Sequence, residues 1–350
     1  MNESIALIAG ATGAAASRLV ELLAGTPGFR VAGLCRNPPA EARAGVTYVA
    51  ADLSDAASCR AAAAQAGAVT HLVYAARAPF GEGGVEDVPA NRAFLVNVLD
   101  AVDGPALRHV HLVEGTKWYG MHLGAFPTPA QEDDPRHLPP NFYYDQQDLV
   151  AARSAGRPWC WTASRPGFIV DFAPRRARNL VSTIGVYAAI CRATGTPFDF
   201  PGPPGAYDRL LEVTDADQLA RAIRWMFAEP RAAGQAFNIT NGDVFRWSRL
   251  WPRLAAYFGL PPGRVRPLPL AGWMADKEPV WQEIVARHGL VAQKMGAIAR
   301  WDFMDFALGL QHDIHSSMTR ARLAGFHDIE DTEAMFRRHL DAYRAARLLP

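Results

Sequence analysis

Ser4-Ile-Ala-Leu-Ile-Ala-Gly10-Ala-Thr-Gly13-Ala-Ala-Ala16 joins an apolar run to a glycine-rich turn. Its first half is a short continuous apolar run, the pattern of a strand buried on both faces. Residues 13–24 then read as a helix, with Leu19, Leu22 and Leu23 on one side. Between them lies the spacing G-x-x-G-x-x-A. Gly10 permits a tight turn, Gly13 lets backbone approach a pyrophosphate, and Ala16 allows the helix to pack closely on the strand. The helix start offers free N–H groups and a favourable dipole to an anion. A glycine pair alone is an ordinary turn; placed between strand and helix, it reads as a dinucleotide site.

Further strands are expected near 29–35, 46–50, 70–75, 108–114 and 158–165. Helices are expected at 55–67, 88–102 and from Asn141 onward. The Ala-rich bias of 55–67 favours helix. Strands alternating with helices imply an α/β fold, a Rossmann-type doubly wound parallel sheet. After residue 170 the pattern loosens. A helix at 215–228 and a strand at Ala236–Ile239 read as returns to the sheet, and Pro-rich turns stand at 201–204 and 261–269. The expected organisation is a nucleotide-binding domain over 1–170, with sheet returns near 207–240. A smaller, mostly helical C-terminal lobe over 171–350, rich in Trp and Phe, is expected to cover a substrate cleft. No internal repeat is present.

The 350 residues are 49% hydrophobic and 20% charged, with a formal net charge of +1. That balance gives no argument for nucleic acid or a membrane surface as partner. The cluster Arg175, Arg176 and Arg178 reads as solvated surface. Cys35, Cys59, Cys160 and Cys191 are far apart in sequence, so CxxC motifs are absent and a reducing, cytoplasmic setting is expected. The apolar N-terminus lacks a basic leader, and no run approaches a membrane span. No Gly-x-Ser-x-Gly elbow supports acyl transfer. His312 and His315 flank Asp313, but the spacing is loose for a metal and no third ligand is evident.

The end of the second strand distinguishes cofactors. It reads Leu34-Cys35-Arg36-Asn37, with no acid to take ribose hydroxyls. Arg36 can make charge-assisted bonds to a 2′-phosphate and stack on adenine, so NADP(H) is expected. Asp52 is the expected acceptor for the adenine amino group, with Leu53 beside it. The small pair Ala75-Ala76 would let a ribose lie against backbone. Thr12, Ala14 and Ala15 of the glycine turn, and Pro166, Gly167 and Ile169 after the sixth strand, complete the expected cofactor lining.

Of 36 basic side chains only three are lysines: Lys117, Lys277 and Lys294. Lysine differs from arginine in being a compact charge whose pKa follows its surroundings. Lys117 follows the apolar run His-Val-His-Leu-Val at 109–113, at the mouth of the fifth strand. Short-chain dehydrogenases usually carry Tyr-x-x-x-Lys on the next helix. Here Tyr143 is followed four residues later by Gln147, and Tyr144 by Asp148. Lys117 could reach the same place from the strand end, favour a phenolate and bond a nicotinamide ribose. On the residues alone, Tyr143 reads equally as a packed helix aromatic like Phe142.

Glu114-Gly-Thr-Lys-Trp-Tyr119, Asn141-Phe-Tyr-Tyr-Asp-Gln-Gln-Asp-Leu149 and Arg165-Pro-Gly167 resemble the progesterone 5β-reductase/iridoid synthase-like family of atypical short-chain dehydrogenases. So do Asn179-Leu-Val, Val186-Tyr-Ala-Ala-Ile-Cys191, Phe237-Asn-Ile-Thr-Asn-Gly-Asp-Val-Phe245 and Lys277-Glu-Pro-Val-Trp281. The resemblance runs from residue 4 to about 345. It implies NADPH-dependent reduction of the C=C bond of enones and enals, with Tyr143 as catalytic tyrosine and Lys117 as catalytic lysine. The partner is then a small unsaturated carbonyl compound, and a homodimer is a further expectation.

The chain also departs from that pattern. The family has Thr-Gly before the lysine region and His after the lysine, where this chain has Glu114-Gly115 and Trp118. Gly120-Met-His-Leu-Gly-Ala-Phe126 replaces a Gly-Pro-Phe. An aromatic after the fourth strand aligns with Arg77, which could attract an acidic substrate or bind cofactor phosphate. Trp118, Phe126, Tyr207, Ile314 and Met318 are the candidates for an apolar substrate pocket. Competing readings are 1,2-carbonyl reduction (or the reverse alcohol oxidation) at the same pair, a nucleotide-sugar epimerase or dehydratase, and a non-catalytic NADP-binding regulator.

Overall fold

The computed structural model describes residues 3–40, 43–81, 85–174 and 176–350; Arg175 lies outside the described residues. The opening apolar run forms β1 (Ser4–Ala9) and the segment after the glycine turn forms α1 (Ser17–Ala24). There follow β2 (Phe29–Cys35), β3 (Val46–Ala50), α2 (Ala56–Ala66), β4 (His71–Tyr74), α3 (Val88–Val102), β5 (His109–Val113), α4 (Phe142–Ser154), β6 (Cys160–Pro166), α5 (Ala216–Ala228) and β7 (Gln235–Ile239). The seven strands form one parallel sheet in the order β7-β6-β5-β4-β1-β2-β3. The order reverses between β1 and β4, the point where such sheets open a crevice beyond the strand ends.

Side chains alternate across the strands and fill two cores. Ile5, Leu7, Leu34, Leu72, Val110 and Leu112 pack on one face against Cys59 and Ala62 of α2, Leu95 and Leu99 of α3 and Val150 of α4. Ala6, Ile8, Val31, Val73, Phe237 and Ile239 pack on the other against Leu19 and Leu23 of α1 and Leu219 and Ile223 of α5. Each fully buried Leu or Ile of this kind contributes roughly 1.5–3 kcal/mol. The helices start where side chains satisfy free backbone N–H groups. Asp55 accepts from Ala57 and Ser58, Asp87 from Ala90, and Asn141 from Tyr143.

Polar residues interrupt the second face. His109 Nε2 and His111 Nδ1 each lie 2.8 Å from Thr162 Oγ1, and His111 Nε2 lies 3.0 Å from Ser164 Oγ. The rings are neutral: burial takes His71 down to about 4 and His109 to about 3.

The chain divides into two compact units. The first comprises Met1–Ile169, Ala216–Thr240 and Ser316–Asp328. Residues 316–328, grouped by the sequence pattern with the second lobe, pack here through Met318, Ala321 and Phe326. The second unit comprises Val170–Asp215, Asn241–His315 and Ile329–Pro350, so residues 207–215 belong to it and not to the sheet domain. Its centre is the helix Leu180–Thr194, capped by Asn179 and buried at every position from Leu180 to Cys191. A helix apolar all round must be enclosed. Phe198 and Trp251 stack at 4.6 Å beside it, and Tyr187 lies 5.2 Å from Phe198. Gly185 leaves room for Leu349, whose Cδ1 would stand 2.3 Å from an added Cβ. No helix among the described residues is long and apolar enough to cross a membrane.

Candidate active site

The glycine turn meets β4 at the crevice. Gly10 has φ +81°, and a Cβ there would stand 2.9 Å from the backbone of Ala75 and Ala76. Only glycine combines that conformation with that approach. Around it opens a groove of about 380 Å³, lined by Gly10, Thr12, Gly13, Arg36, Asp52, Leu53, Ala75, Ala76 and Arg77. Leu34, Cys35, Ala51, Pro79 and Phe94 also line it. Leu34, Cys35 and Ala51 stand at the ends of β2 and β3, Pro79 lies in the loop after β4, and Phe94 projects from α3, for which the sequence offers only an apolar helix position.

The other expected cofactor residues lie elsewhere. Ala14 is in the turn before α1, whereas Ala15 packs toward the α1–α5 core. Pro166 ends β6, followed by Gly167 and Ile169. None of these five lines the groove. Arg36 is exposed at the end of β2 and has no ion pair among the described residues. Asp52 keeps its carboxylate below the ordinary range through bonds from the Ser54 hydroxyl and N–H, both to Oδ1.

Tyr143 and Lys117 are brought together by Asn141. Its side-chain oxygen accepts from Tyr143 N at 3.1 Å, while its Nδ2 donates to Lys117 O at 2.9 Å. His137 Nε2 lies 3.0 Å from the same carbonyl. The first turn of α4 is thereby tied to the short 3₁₀ turn Thr116–Tyr119 that follows β5. The half-buried Tyr143 places its hydroxyl over the Gly115 backbone, 3.5 Å from where a Cβ would stand, and no described residue hydrogen-bonds it.

The expected phenolate is not favoured. Burial raises the Tyr143 pKa, Glu86 and Glu114 raise it further, and only Arg77 opposes them. Lys117, whose ammonium is paired with Glu86, is not among these influences. Tyr143 is therefore a neutral phenol with a proton to donate. Glu86 is 31 residues from Lys117 in sequence, and no local signal announces it.

Beneath this pair lies a buried network. Arg165 Nε is 2.9 Å from Glu114 Oε2, with both side chains 1% exposed. The guanidinium also donates to Tyr119 Oη, Glu132 O and Gln147 Oε1 at 3.0–3.2 Å. Burial lifts the Glu114 carboxyl to about 7 despite the arginine beside it. Gln147, where a lysine four residues after Tyr143 would stand, instead holds Arg165.

Several pocket candidates are packing residues. Trp118 is 3% exposed, with Arg165 3.6 Å over its ring and Tyr144 edge-on at 4.7 Å. Met318 is buried in the first unit and its sulfur accepts from Thr240 N. Phe126 stacks on Tyr119 at 6.3 Å and packs with Tyr143 in the same cluster. In the second unit, Ile314 is 1% exposed and Tyr207 rests on Phe200 at 4.9 Å. His315 faces Glu212 at 3.4 Å, and Asp313 accepts from Leu210 N. Arg77 is exposed, lies 3.9 Å over Phe80, and borders the groove while its charge is felt at Tyr143.

The chain is similar to known proteins over nearly its whole length. Residues 50–350 match the PRISE-like Rossmann-fold domain. The chain is 34% identical to an (S)-8-oxocitronellyl enol synthase of Nepeta cataria, over 99% of this chain and 94% of that one. It is 35% identical to a 3-oxo-Delta(4,5)-steroid 5-beta-reductase of Arabidopsis thaliana, with the same coverage. Among solved structures, a short-chain dehydrogenase/reductase superfamily protein of Agrobacterium tumefaciens with bound NAD superposes at TM-score 0.68, 17% identity and 98% coverage of both chains. The UDP-glucose 4-epimerase of Thermus thermophilus in complex with NAD gives 0.67 at 16% identity, covering 98% of this chain and 99% of that one. With its parallel sheet, its glycine turn and a match spanning nearly the whole chain, this protein belongs to the PRISE family of short-chain dehydrogenase/reductase-type oxidoreductases.

Proposed function

We propose that the chain is an NADPH-dependent reductase of activated C=C bonds in enones or enals. The observation that carries this reading is the Asn141 clamp, which ties the backbone of Tyr143, a neutral phenol, to the backbone of Lys117 at the mouth of β5. End-to-end similarity to an enol synthase and a steroid 5-beta-reductase supports it.

The groove suits a dinucleotide. Gly10 leaves the space a Cβ would fill, α1 starts beside it, and Arg36 offers a guanidinium with no carboxylate partner among the described residues. Arg36 favours a 2′-phosphate, hence NADPH over NADH. When bound, the cofactor supplies hydride. Tyr143 then donates a hydrogen bond to the substrate carbonyl oxygen, where negative charge develops as the β-carbon is reduced. Its raised pKa keeps the proton on the phenol, so Tyr143 stabilises the enolate without being consumed. A solvent proton at the α-carbon completes the saturated carbonyl. Lys117, held by Glu86, would bond the nicotinamide ribose. Arg77 places positive charge near both Tyr143 and the groove, which favours substrates or cofactor groups carrying negative charge.

The test is incubation with NADPH and a panel containing an acyclic enal, a cyclic enone, a 3-oxo-4-ene steroid, a ketone and an aldehyde. Products are identified by mass and NMR. Saturated carbonyls, or the enols that precede them, are expected. Allylic or saturated alcohols would replace this reading with 1,2-carbonyl reduction, and tight NADPH binding without turnover would replace it with a regulator.

A further inference from the structure

A second cavity, of about 470 Å³, opens in the first unit at the opposite ends of the strands from the glycine turn. It is bounded by the starts of β4, β5 and β6 through His71, His109 and Cys160, and by Arg224 and Phe227 of α5. Arg108, just before β5, and Phe29, at the start of β2, also line it.

Its chemistry is one-sided. Arg108 and Arg224 are exposed guanidinium groups with no ion pair among the described residues, and no carboxylate lines the cavity. His71 is 8% exposed, and its Nδ1 meets Thr70 Oγ1 at 2.8 Å. Its Nε2 has no partner among the described residues. The aromatic wall is continuous: the His71 ring is 5.4 Å from Phe29 and 4.8 Å from Phe227, and His109 is 5.0 Å from Phe227. Two cations, one unpartnered polar nitrogen and a flat apolar wall together define a recognisable complement.

We propose that this cavity binds a small organic anion, its carboxylate or phosphate group held by Arg108 and Arg224 and its flat apolar body laid against Phe29 and Phe227. Guanidinium pairs match such oxyanions by charge and by forked geometry. His71 Nε2 adds a hydrogen bond at the aromatic side. The groove lined by Gly10 and Arg36 is a separate cavity, so occupancy here does not compete with a dinucleotide there.

The test is calorimetric titration of the full chain with phenyl phosphate, inorganic phosphate and neutral benzyl alcohol. The proteins are wild type, R36Q and the double variant R108Q/R224Q, whose altered side chains are all exposed. Saturable binding of phenyl phosphate is expected, at least about tenfold tighter than either fragment. It should persist in R36Q and weaken at least about tenfold in R108Q/R224Q with an unchanged melting temperature. The proposal is overturned if phenyl phosphate does not bind saturably, if R108Q/R224Q binds it as wild type does, or if R36Q abolishes it. Inorganic phosphate binding as tightly as phenyl phosphate would overturn the apolar half of the site.

Discussion

Tyr143 and Arg36 carry the sharpest consequences of single side chains. Tyr143 stays protonated because burial and two nearby carboxylates outweigh Arg77. Removing an oxyanion donor of this type costs roughly 2.7–4 kcal/mol of barrier. Tyr143→Phe is therefore expected to lower kcat by about 100-fold or more while leaving NADPH affinity, read by fluorescence titration, unchanged. Near-normal turnover would remove Tyr143 from the mechanism. Arg36→Gln should weaken NADPH by about 1.5–3 kcal/mol, the range for hydrogen bonds to charged groups, and leave NADH nearly untouched. Equal losses for both cofactors would show that Arg36 does not read the 2′-phosphate.

At the scale of an element, α4 matters for how it begins. Asn141 caps it and simultaneously holds the carbonyl of Lys117, so one side chain stabilises the helix and registers it against the end of β5. Loss of such a cap costs about 0.5–2 kcal/mol. Asn141→Ala should lower the melting temperature modestly yet depress kcat disproportionately. Asn141→Asp keeps the cap but cannot donate to Lys117 O. It should restore the melting temperature without restoring turnover; recovery of both would reduce Asn141 to a cap. The same segment shows what was legible. Asn141 stands at the expected helix start, and the Gly10–Ala16 spacing announces a strand, a turn and a helix. Both signals are local, and both elements stand within a few residues of where the pattern puts them. The expected helix from residue 13 begins at Ser17 because Gly13 to Ala16 are used in the turn.

Over the whole molecule, buried titratable groups set acid stability. His71 and His109 have folded pKa values of about 4 and 3 against an ordinary 6.5. The unfolded chain thus binds more protons between these limits, and stability is complete above 6.5 and lost as pH falls toward 4 and 3. At pH 4.5 each histidine has given up roughly 2–3 kcal/mol. Glu114, lifted to about 7 from 4.5, runs the other way and offsets about one histidine over this window. A net fall in melting temperature from pH 7 to about 4.5 is expected, and His71→Phe should flatten it. A melting temperature that rises on acidification would show that the carboxyls outweigh the histidine ladder.

The α/β class, the parallel sheet implied by alternating elements, the glycine turn and the family are all legible in the chain alone. These rest on periodicity and on short motifs whose physics is local. Tertiary structure decided the rest. Trp118 and Met318 are apolar residues that composition cannot sort into pocket or core, and long-range packing encloses both. Glu86 takes Lys117, and Gln147 with Glu114 takes Arg165, because charges brought out of water must find partners wherever the fold supplies them. That requirement acts through space, so no spacing in the chain could reveal which carboxylate would answer it.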